Sequence, residues 1–180
     1  MIIREFRLTD LRRVYEIETM SFSHPYDLNI LKELFDFGAG FLVAQVKDYV
    51  VGYILFWIIE DDRGHIISLA VDENYKRQKI GSKLISKAIV TFTNFNIFKI
   101  TLEVRSENKE AVDFYQSLGF DLIKKVSNYY EDGSDAFKMV FNFFDENSMD
   151  DSIDDSIDDS IDDSIDDSMD DSMDDNLNIE

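Results

Sequence analysis

The chain has 180 residues, a formal net charge of −20, fifteen Phe and eight Tyr. The absence of cysteine excludes disulfides and thiolate chemistry on the protein, and two histidines are a poor supply for a zinc site, so we expect no metal. No apolar run approaches the roughly 20 residues that span a bilayer, so we expect a soluble cytoplasmic protein that binds neither membrane nor nucleic acid directly.

The first half of the chain alternates between strand and helix patterns. Residues 2–6 are predicted to form a strand rather than part of a signal peptide. The segment TDLRRVYEIETMSF has helical spacing, and Thr9 is its expected N-cap. A second short helix, DLNILKELFDFG, is expected to end at Gly38. Residues 41–71 then predict three strands joined by the turns KD and DDRG.

The second half continues with a helix in IGSKLISKAIVTFTNF and a strand in FKITLEV. A helix in NKEAVDFYQSLGF is expected to be capped by Asn108 and ended by Gly119. The segments FDLIKKVSNYY and DAFKMVFNFF predict a hairpin around EDGS. Strand–helix–strand alternation in the middle of the chain predicts one parallel strand pair in an α/β fold whose other strands are antiparallel.

Composition changes abruptly near Ser148. From Met149 onward the chain carries fifteen acidic residues and no basic ones, in a repeat of Asp-Asp-Ser-Ile or Asp-Asp-Ser-Met. Asp and Ser favour caps and turns over helix interiors, and like charges four residues apart repel. We therefore expect one folded domain, residues 1–147, and a disordered acidic tail, residues 148–180.

The stretch VDENYKRQKIGSKLI places three cations, Lys76, Arg77 and Lys79, between a strand and a helix N-terminus. Positive side chains are unfavourable at that position unless an anion binds there. Free N–H groups at a strand–helix junction form an anion site, which the cations would extend to a pyrophosphate. The alternative is a solvated basic turn without a ligand.

The ordered set of segments resembles the GNAT acetyltransferases over about residues 1–144. The turn KRQKIG is similar to the family's cofactor turn Arg/Gln-x-x-Gly-x-Gly/Ala, with Lys76 and Lys79 as departures and Gly81 retained. The segment NKEAVDFYQSLGF resembles the family's Asn-x-x-Ala-x-x-x-Tyr-x-x-x-Gly-Phe. The resemblance implies a mixed sheet of six to seven strands with splayed central parallel strands, flanked by about four helices.

Three further stretches resemble the RimI-like group, which acetylates protein N-termini. They are LEVRSEN, NYYEDGSDAFKM, and FSHPYD, in which Tyr26 replaces the Trp of a Phe-x-x-Pro-Trp loop. The resemblance implies acetyl transfer from acetyl-CoA to an N-terminal α-amino group, with ribosomal proteins among the candidate substrates. A free α-amino group has a pKa of about 8, so a modest base suffices.

The same resemblance implies roles for individual residues. Glu103 would be the general base, although a surface carboxylate paired with Arg105 is the alternative from position alone. Tyr115 would be the general acid, although a Tyr on an apolar helix face more often only packs in a core. The backbone of Leu69, Ala70 and Val71 would pair with the pantetheine arm. The remaining implied cofactor contacts are Arg77, Gln78, Lys79, Ile80, Gly81, Ser82, Asn108 and Tyr115.

The peptide site would lie between the FSHPYD loop and the tyrosine hairpin. Its candidate lining is aromatic: Phe22, Tyr26, Tyr129 and Tyr130. No function is assigned to His24 or His65. Two other functions remain open: a GNAT that acetylates a small amine or a lysine side chain, and a diverged binding module without catalysis.

Overall fold

The computed structural model describes residues 1–59 and 63–143 of the chain. These residues form one seven-stranded mixed sheet with the strand order β1-β2-β3-β4-β5-β7-β6. The strands are β1 Ile2–Glu5, β2 Gly40–Val46, β3 Tyr49–Ile59, β4 Arg63–Val71, β5 Lys99–Arg105, β6 Asp121–Val126 and β7 Ala136–Asn142. The predicted disorder of the acidic tail concerns residues that lie outside this description.

Four α-helices cover the two faces of the sheet. They are α1 Leu11–Ser21, α2 Leu28–Asp36, α3 Ile80–Asn94 and α4 Lys109–Ser117. Helices α1 and α2 pack on one face, which is called the α1–α2 face below, and α3 and α4 pack on the other. In the described residues, no helix has the length and apolar character that crossing a bilayer requires. The predicted fold class, a GNAT-type α/β sheet with four helices, is confirmed.

The helix boundaries follow local capping. The Asp27 carboxylate accepts hydrogen bonds from two N–H groups of the first turn of α2, and the Asn108 side chain accepts one from Ala111 at the start of α4. Gly119, with φ +89°, lies in the left-handed region just beyond α4, as expected for a glycine at a helix end. The predicted cap Thr9 is wrong, because a 3₁₀ turn over Leu8–Asp10 precedes α1 and makes Asp10 the N-cap.

The central parallel pair opens along its length. Strands β4 and β5 are paired only from Arg63 opposite Lys99 to His65 opposite Thr101. Beyond that point β4 keeps its antiparallel pairing with β3, and β5 keeps its pairing with β7. The backbone edge of residues 66–71 that faces β5 is thus unpaired within the described sheet. This opening is the splay that the family resemblance implies.

The final hairpin differs from the prediction. Strand β6 ends at Val126 and β7 begins at Ala136, so a nine-residue loop replaces the short EDGS turn. The loop has its own internal bonds: the Tyr130 N–H donates to the Ser134 carbonyl at 3.1 Å, and the Gly133 N–H donates to the Tyr130 carbonyl at 2.8 Å. Its tyrosines therefore lie in a structured loop instead of a strand.

Candidate active site

The basic turn before α3 is built from left-handed backbone at two non-glycine residues. Arg77 has φ +62° and Lys79 has φ +59°, and Lys79 is the N-cap of α3. No side chain caps this helix, so the N–H groups of its first turn are presented without a side-chain acceptor. The arrangement has the backbone geometry and the helix dipole that an anion site requires, and anion binding at this turn stays a prediction.

Neighbouring side chains leave this turn open. Lys76, Arg77, Gln78 and Lys79 are all exposed, and the Arg77 guanidinium has a 3.6 Å ion pair with Glu110 at the start of α4. At Gly81, an added Cβ would lie 3.1 Å from the Phe114 ring, so helix α3 approaches α4 closely there. Glycine at this position lets the two helices meet beside the opening of the sheet.

Glu103 lies on β5 and is largely buried, with its side chain 11% exposed. Its carboxylate is 3.4 Å from Nε2 of His65 and 3.3 Å from Nζ of Lys138. Arg105, the partner considered in the alternative interpretation, instead forms a 2.8 Å ion pair with Asp132. Glu103 is therefore part of a partly buried cluster with His65 and Lys138 on the α1–α2 face, and the surface-pair interpretation is wrong.

His65 is a site residue that sequence reasoning missed. It lies opposite Thr101 in the short parallel register, and its Nδ1 is 3.1 Å from the Thr101 hydroxyl. Burial lowers the pKa of His65, while the charge of Glu103 opposes that shift and Lys138 adds to it. The imidazole is thus uncharged at neutral pH. The sequence gives no signal for this contact, because it depends on which strands pair and in what register.

Tyr115 lies on α4, on the opposite side of the sheet from Glu103. It is 9% exposed and packs edge-on against Phe114 and Phe120, with ring centroids 5.2 and 5.6 Å away. Burial raises the pKa of Tyr115 well above its ordinary value, and the nearby Tyr130 raises it further. The phenol is therefore protonated at any working pH and is a permanent donor.

The two predicted peptide-binding segments meet beside Glu103. The rings of Tyr129 and Tyr130 contact each other edge-on with centroids 5.0 Å apart. Burial raises the pKa of Tyr129, and the charge of Glu103 and a hydrogen bond to it raise this pKa further. Ionisation of Tyr26 would add to the raised pKa of both hairpin tyrosines, so Tyr26 lies in their neighbourhood. The fourth predicted aromatic, Phe22, is the C-cap of α1 and is 38% exposed.

The hairpin loop is fastened to both β5 and the loop before α2. Arg105 stacks over Tyr130 at 4.1 Å and pairs with Asp132. His24, to which the sequence assigns no function, lies 3.8 Å from the Asp132 carboxylate and 3.3 Å from the Arg105 guanidinium. The two histidines are therefore not isolated: His24 and His65 both contact charged residues of this region.

Comparison with known proteins decides the family. The sequence pattern of the acetyltransferase (GNAT) family matches residues 8–120. The chain belongs to the GNAT family. This GNAT protein is an acyltransferase of the N-acetyltransferase class, and the fold, the turn and the splayed strands described above agree with that assignment.

The relatives are similar over most of the GNAT chain. An N-alpha-acetyltransferase of Sulfurisphaera tokodaii is 34% identical over 151 residues, covering 77% of this chain and 90% of the relative. The crystal structure of Ard1 from Thermoplasma volcanium superposes with a TM-score of 0.76 at 32% identity, covering 80% of this chain and 98% of that one. The ribosomal-protein-S18-alanine N-acetyltransferase from Escherichia coli gives 0.72 at 26% identity, covering 79% and 93%.

The lysine at the usual glycine position of the GNAT turn is expected to lower the stability of the fold, because its backbone is left-handed. Because Lys79 adopts φ +59°, ψ +21°, a conformation that L-residues pay about 1–2 kcal/mol to enter, we expect Lys79→Gly to raise the free energy of unfolding by about 1 kcal/mol. Chemical denaturation measures the change. As a matched control, Lys83→Gly inside α3 is expected to lower stability by about 1 kcal/mol. Equal changes in the free energy of unfolding for Lys79→Gly and Lys83→Gly would contradict backbone strain at Lys79.

Proposed function

We propose that the protein transfers the acetyl group of acetyl-CoA to the α-amino group of protein N-termini. The observation that carries the proposal is that Glu103 and Tyr115 lie on opposite faces of a sheet that opens between β4 and β5, with Tyr129 and Tyr130 near Glu103. A base on one side and a permanent donor on the other are what attack by an amine and departure of a thiolate require.

The residues around the opening fit acetyl-CoA, which supplies the acetyl thioester when it is bound. The β5-facing backbone edge of Leu69–Val71, which is unpaired within the described sheet, offers donors and acceptors to the amide groups of an extended pantetheine arm. The backbone of Arg77–Ser82 and the uncapped start of α3 would hold the pyrophosphate. Asn108 caps α4, and we propose that its side chain also contacts the cofactor.

Glu103 is proposed as the general base. A primary amine attacks only when neutral, so the base removes one proton, directly or through a water. The uncharged His65 lies 3.4 Å from Glu103 and can share that proton, and the ammonium of Lys138 lies 3.3 Å from the same carboxylate. The cluster thus supplies a proton acceptor on the face where the peptide would bind.

Tyr115 is proposed as the general acid. As the C–S bond breaks, the sulfur takes up negative charge and needs a hydrogen bond or a proton. A phenol with a raised pKa remains protonated and donates a hydrogen bond to the developing thiolate without ionising first. The Phe114 and Phe120 rings hold the phenol ring in place.

The substrate class is proposed from the aromatic side of the opening. The hairpin loop, fixed through Arg105 and Asp132, carries Tyr129 next to Glu103, and on this proposal it would close the wide groove that a lysine side chain within a chain needs. The similarity to the Escherichia coli enzyme, whose name specifies ribosomal protein S18, supports ribosomal proteins as candidate substrates. With such substrates, we propose a cytoplasmic location.

A pair of peptides tests the proposed function. One has a free α-amino group and no lysine; the other has the same sequence with a blocked N-terminus and one internal lysine. We expect acetylation of the first and none of the second, measured by mass spectrometry with acetyl-CoA as donor. Preference for the lysine peptide, or for a small amine, would establish the alternative GNAT activity instead.

A thermal shift with acetyl-CoA separates the enzyme from a binding module that has lost its cofactor. A ligand at about 100 times its dissociation constant stabilises the folded state by about 2.7 kcal/mol. We expect a clear rise in the melting temperature with acetyl-CoA, and none with acetate at the same concentration. Absence of a shift with acetyl-CoA would contradict the proposed function before any peptide is tried.

A further inference from the structure

A buried carboxylate that has no part in the proposed chemistry lies on α1. Glu18 is 1% exposed, and burial raises its pKa, opposed by hydrogen bonds from the Tyr26 N–H and the Ser68 hydroxyl. No cation contributes to this balance. An unpaired buried carboxylate is costly, and an apolar residue in its place would avoid that cost. Its presence calls for a reason other than core stability.

Three donors converge on Glu18 from three different elements. Its Oε1 accepts the Tyr26 N–H at 3.0 Å, and its Oε2 accepts the hydroxyls of Tyr53 and, at 3.3 Å, of Ser68. Tyr53 is on β3, Ser68 is on β4, and Tyr26 is in the loop between α1 and α2. The carboxylate therefore ties this loop to the two central strands.

The β4 end of this connection lies where the sheet opens. Between β3 and β4 the register shifts so that Leu55 faces Ser68 and Phe56 faces Ile66, which leaves Ile67 as a bulge. Ser68 follows this bulge in the segment of β4 that has left β5. Through its bonds to Tyr26 and Ser68, Glu18 thus holds the loop at a fixed distance from the unpaired edge of β4.

The loop end of the connection is Tyr26, in the loop whose His24 lies 3.8 Å from Asp132 of the tyrosine hairpin. Within the described part of the chain, the bond from the Tyr26 N–H to Glu18 is the one hydrogen bond that joins the backbone of residues 23–26 to the helices and the sheet. The following residue, Asp27, caps α2 and is held separately. Loss of the Glu18 acceptor would therefore release Tyr26 while leaving α2 in place.

We propose that Glu18 is a positioning residue for the peptide substrate: it fixes Tyr26 at a set distance from the opening of the sheet and so sets the depth of the pocket for the first residue of the peptide. This inference rests on the proposed function, since it assumes that the substrate enters between Tyr26 and the hairpin tyrosines. Glu18 acts through Tyr26 and touches neither reacting group.

Two substitutions at Glu18 are expected to differ in their effect on the KM for the peptide. Glu18→Ala removes the acceptor for Tyr26, and we expect the KM for the peptide to rise about tenfold or more, as for loss of about 1.4 kcal/mol of binding, while the Kd for acetyl-CoA stays within about twofold. Glu18→Gln keeps an oxygen for the Tyr26 N–H, and its amide N–H groups can donate to the two hydroxyls, so we expect a KM near that of the wild type.

Tyr53→Phe is the matched control. It removes one hydrogen bond to the same carboxylate but leaves the bond to Tyr26, so we expect lower stability with an unchanged peptide KM. If Glu18→Ala does not fold, Glu18→Leu combined with Tyr53→Phe removes the carboxylate and one facing hydroxyl together and carries the same expectation. An unchanged peptide KM in the variant without the acceptor would overturn the inference.

Amide hydrogen exchange at Tyr26 makes the test independent of activity. We expect faster exchange at Tyr26 in Glu18→Ala than in the wild type, with unchanged exchange at Leu31, whose N–H is bonded to the Asp27 carbonyl. Unchanged exchange at Tyr26 in Glu18→Ala would overturn the inference that Glu18 holds Tyr26 in place. A wild-type protein that acetylates no peptide overturns the proposed function, and the substrate role of Glu18 with it, whereas wild-type activity with an unchanged KM in the variant overturns this inference alone.

Discussion

Tyr115→Phe is expected to lower the turnover number by about 10²–10⁴-fold and to leave acetyl-CoA binding intact. The substitution removes only the hydroxyl, so the leaving sulfur loses its donor, while the ring contacts with Phe114 and Phe120 persist. Because the pKa of Tyr115 is raised by burial and then by Tyr130, the hydroxyl is protonated throughout and its loss should act at every pH. Steady-state kinetics measure the turnover and calorimetry the Kd for acetyl-CoA.

Tyr49→Phe is the control for this substitution. Tyr49 is 62% exposed at the start of β3 and contacts Arg13, and it has no part in the proposed cofactor or peptide site. We expect its kinetics to match the wild type. If Tyr115→Phe also stays within about threefold of the wild type, Tyr115 is a packing residue and its role as general acid is refuted.

Glu103→Gln is expected to lower kcat/KM by about 10²–10⁴-fold and to flatten the acidic limb of the pH–rate profile. The amide fills the same space but accepts no proton from the amine. Burial lowers the pKa of His65 and the Glu103 charge raises it, so removal of that charge lets the pKa of His65 fall further. Any acidic limb that remains should therefore move to lower pH, never to higher pH.

Glu33→Gln, an exposed carboxylate on α2, serves as the control and is expected to leave the profile unchanged. A Glu103→Gln enzyme whose acidic limb keeps its position would show that the substrate amine sets that limb. A limb that moves to higher pH would contradict the electrostatic coupling between Glu103 and His65.

The sequence by itself determined the order and type of most elements and the family. Apolar periodicity predicts α3 and the buried strands, and the caps Asn108 and Gly119 predict the ends of α4, because these signals act within a few residues. Glu103 and Tyr115 were predicted as catalytic residues from the resemblance of their segments to the family's motifs, and these roles stay predictions. The sequence also places Lys79 where the family's cofactor turn usually has glycine. In the structure this lysine adopts the left-handed backbone conformation that glycine adopts most easily.

Only the tertiary structure decided which side chains meet. The insertion of β7 between β5 and β6 puts Lys138 beside Glu103, and the parallel register puts His65 there too. The Glu18 carboxylate accepts hydrogen bonds from Tyr53 and Ser68, which lie 35 and 50 residues further along the chain. A shift of one residue in strand register moves a side chain to the other face of the sheet, so such contacts depend on the pairing of distant strands, which local sequence patterns do not encode.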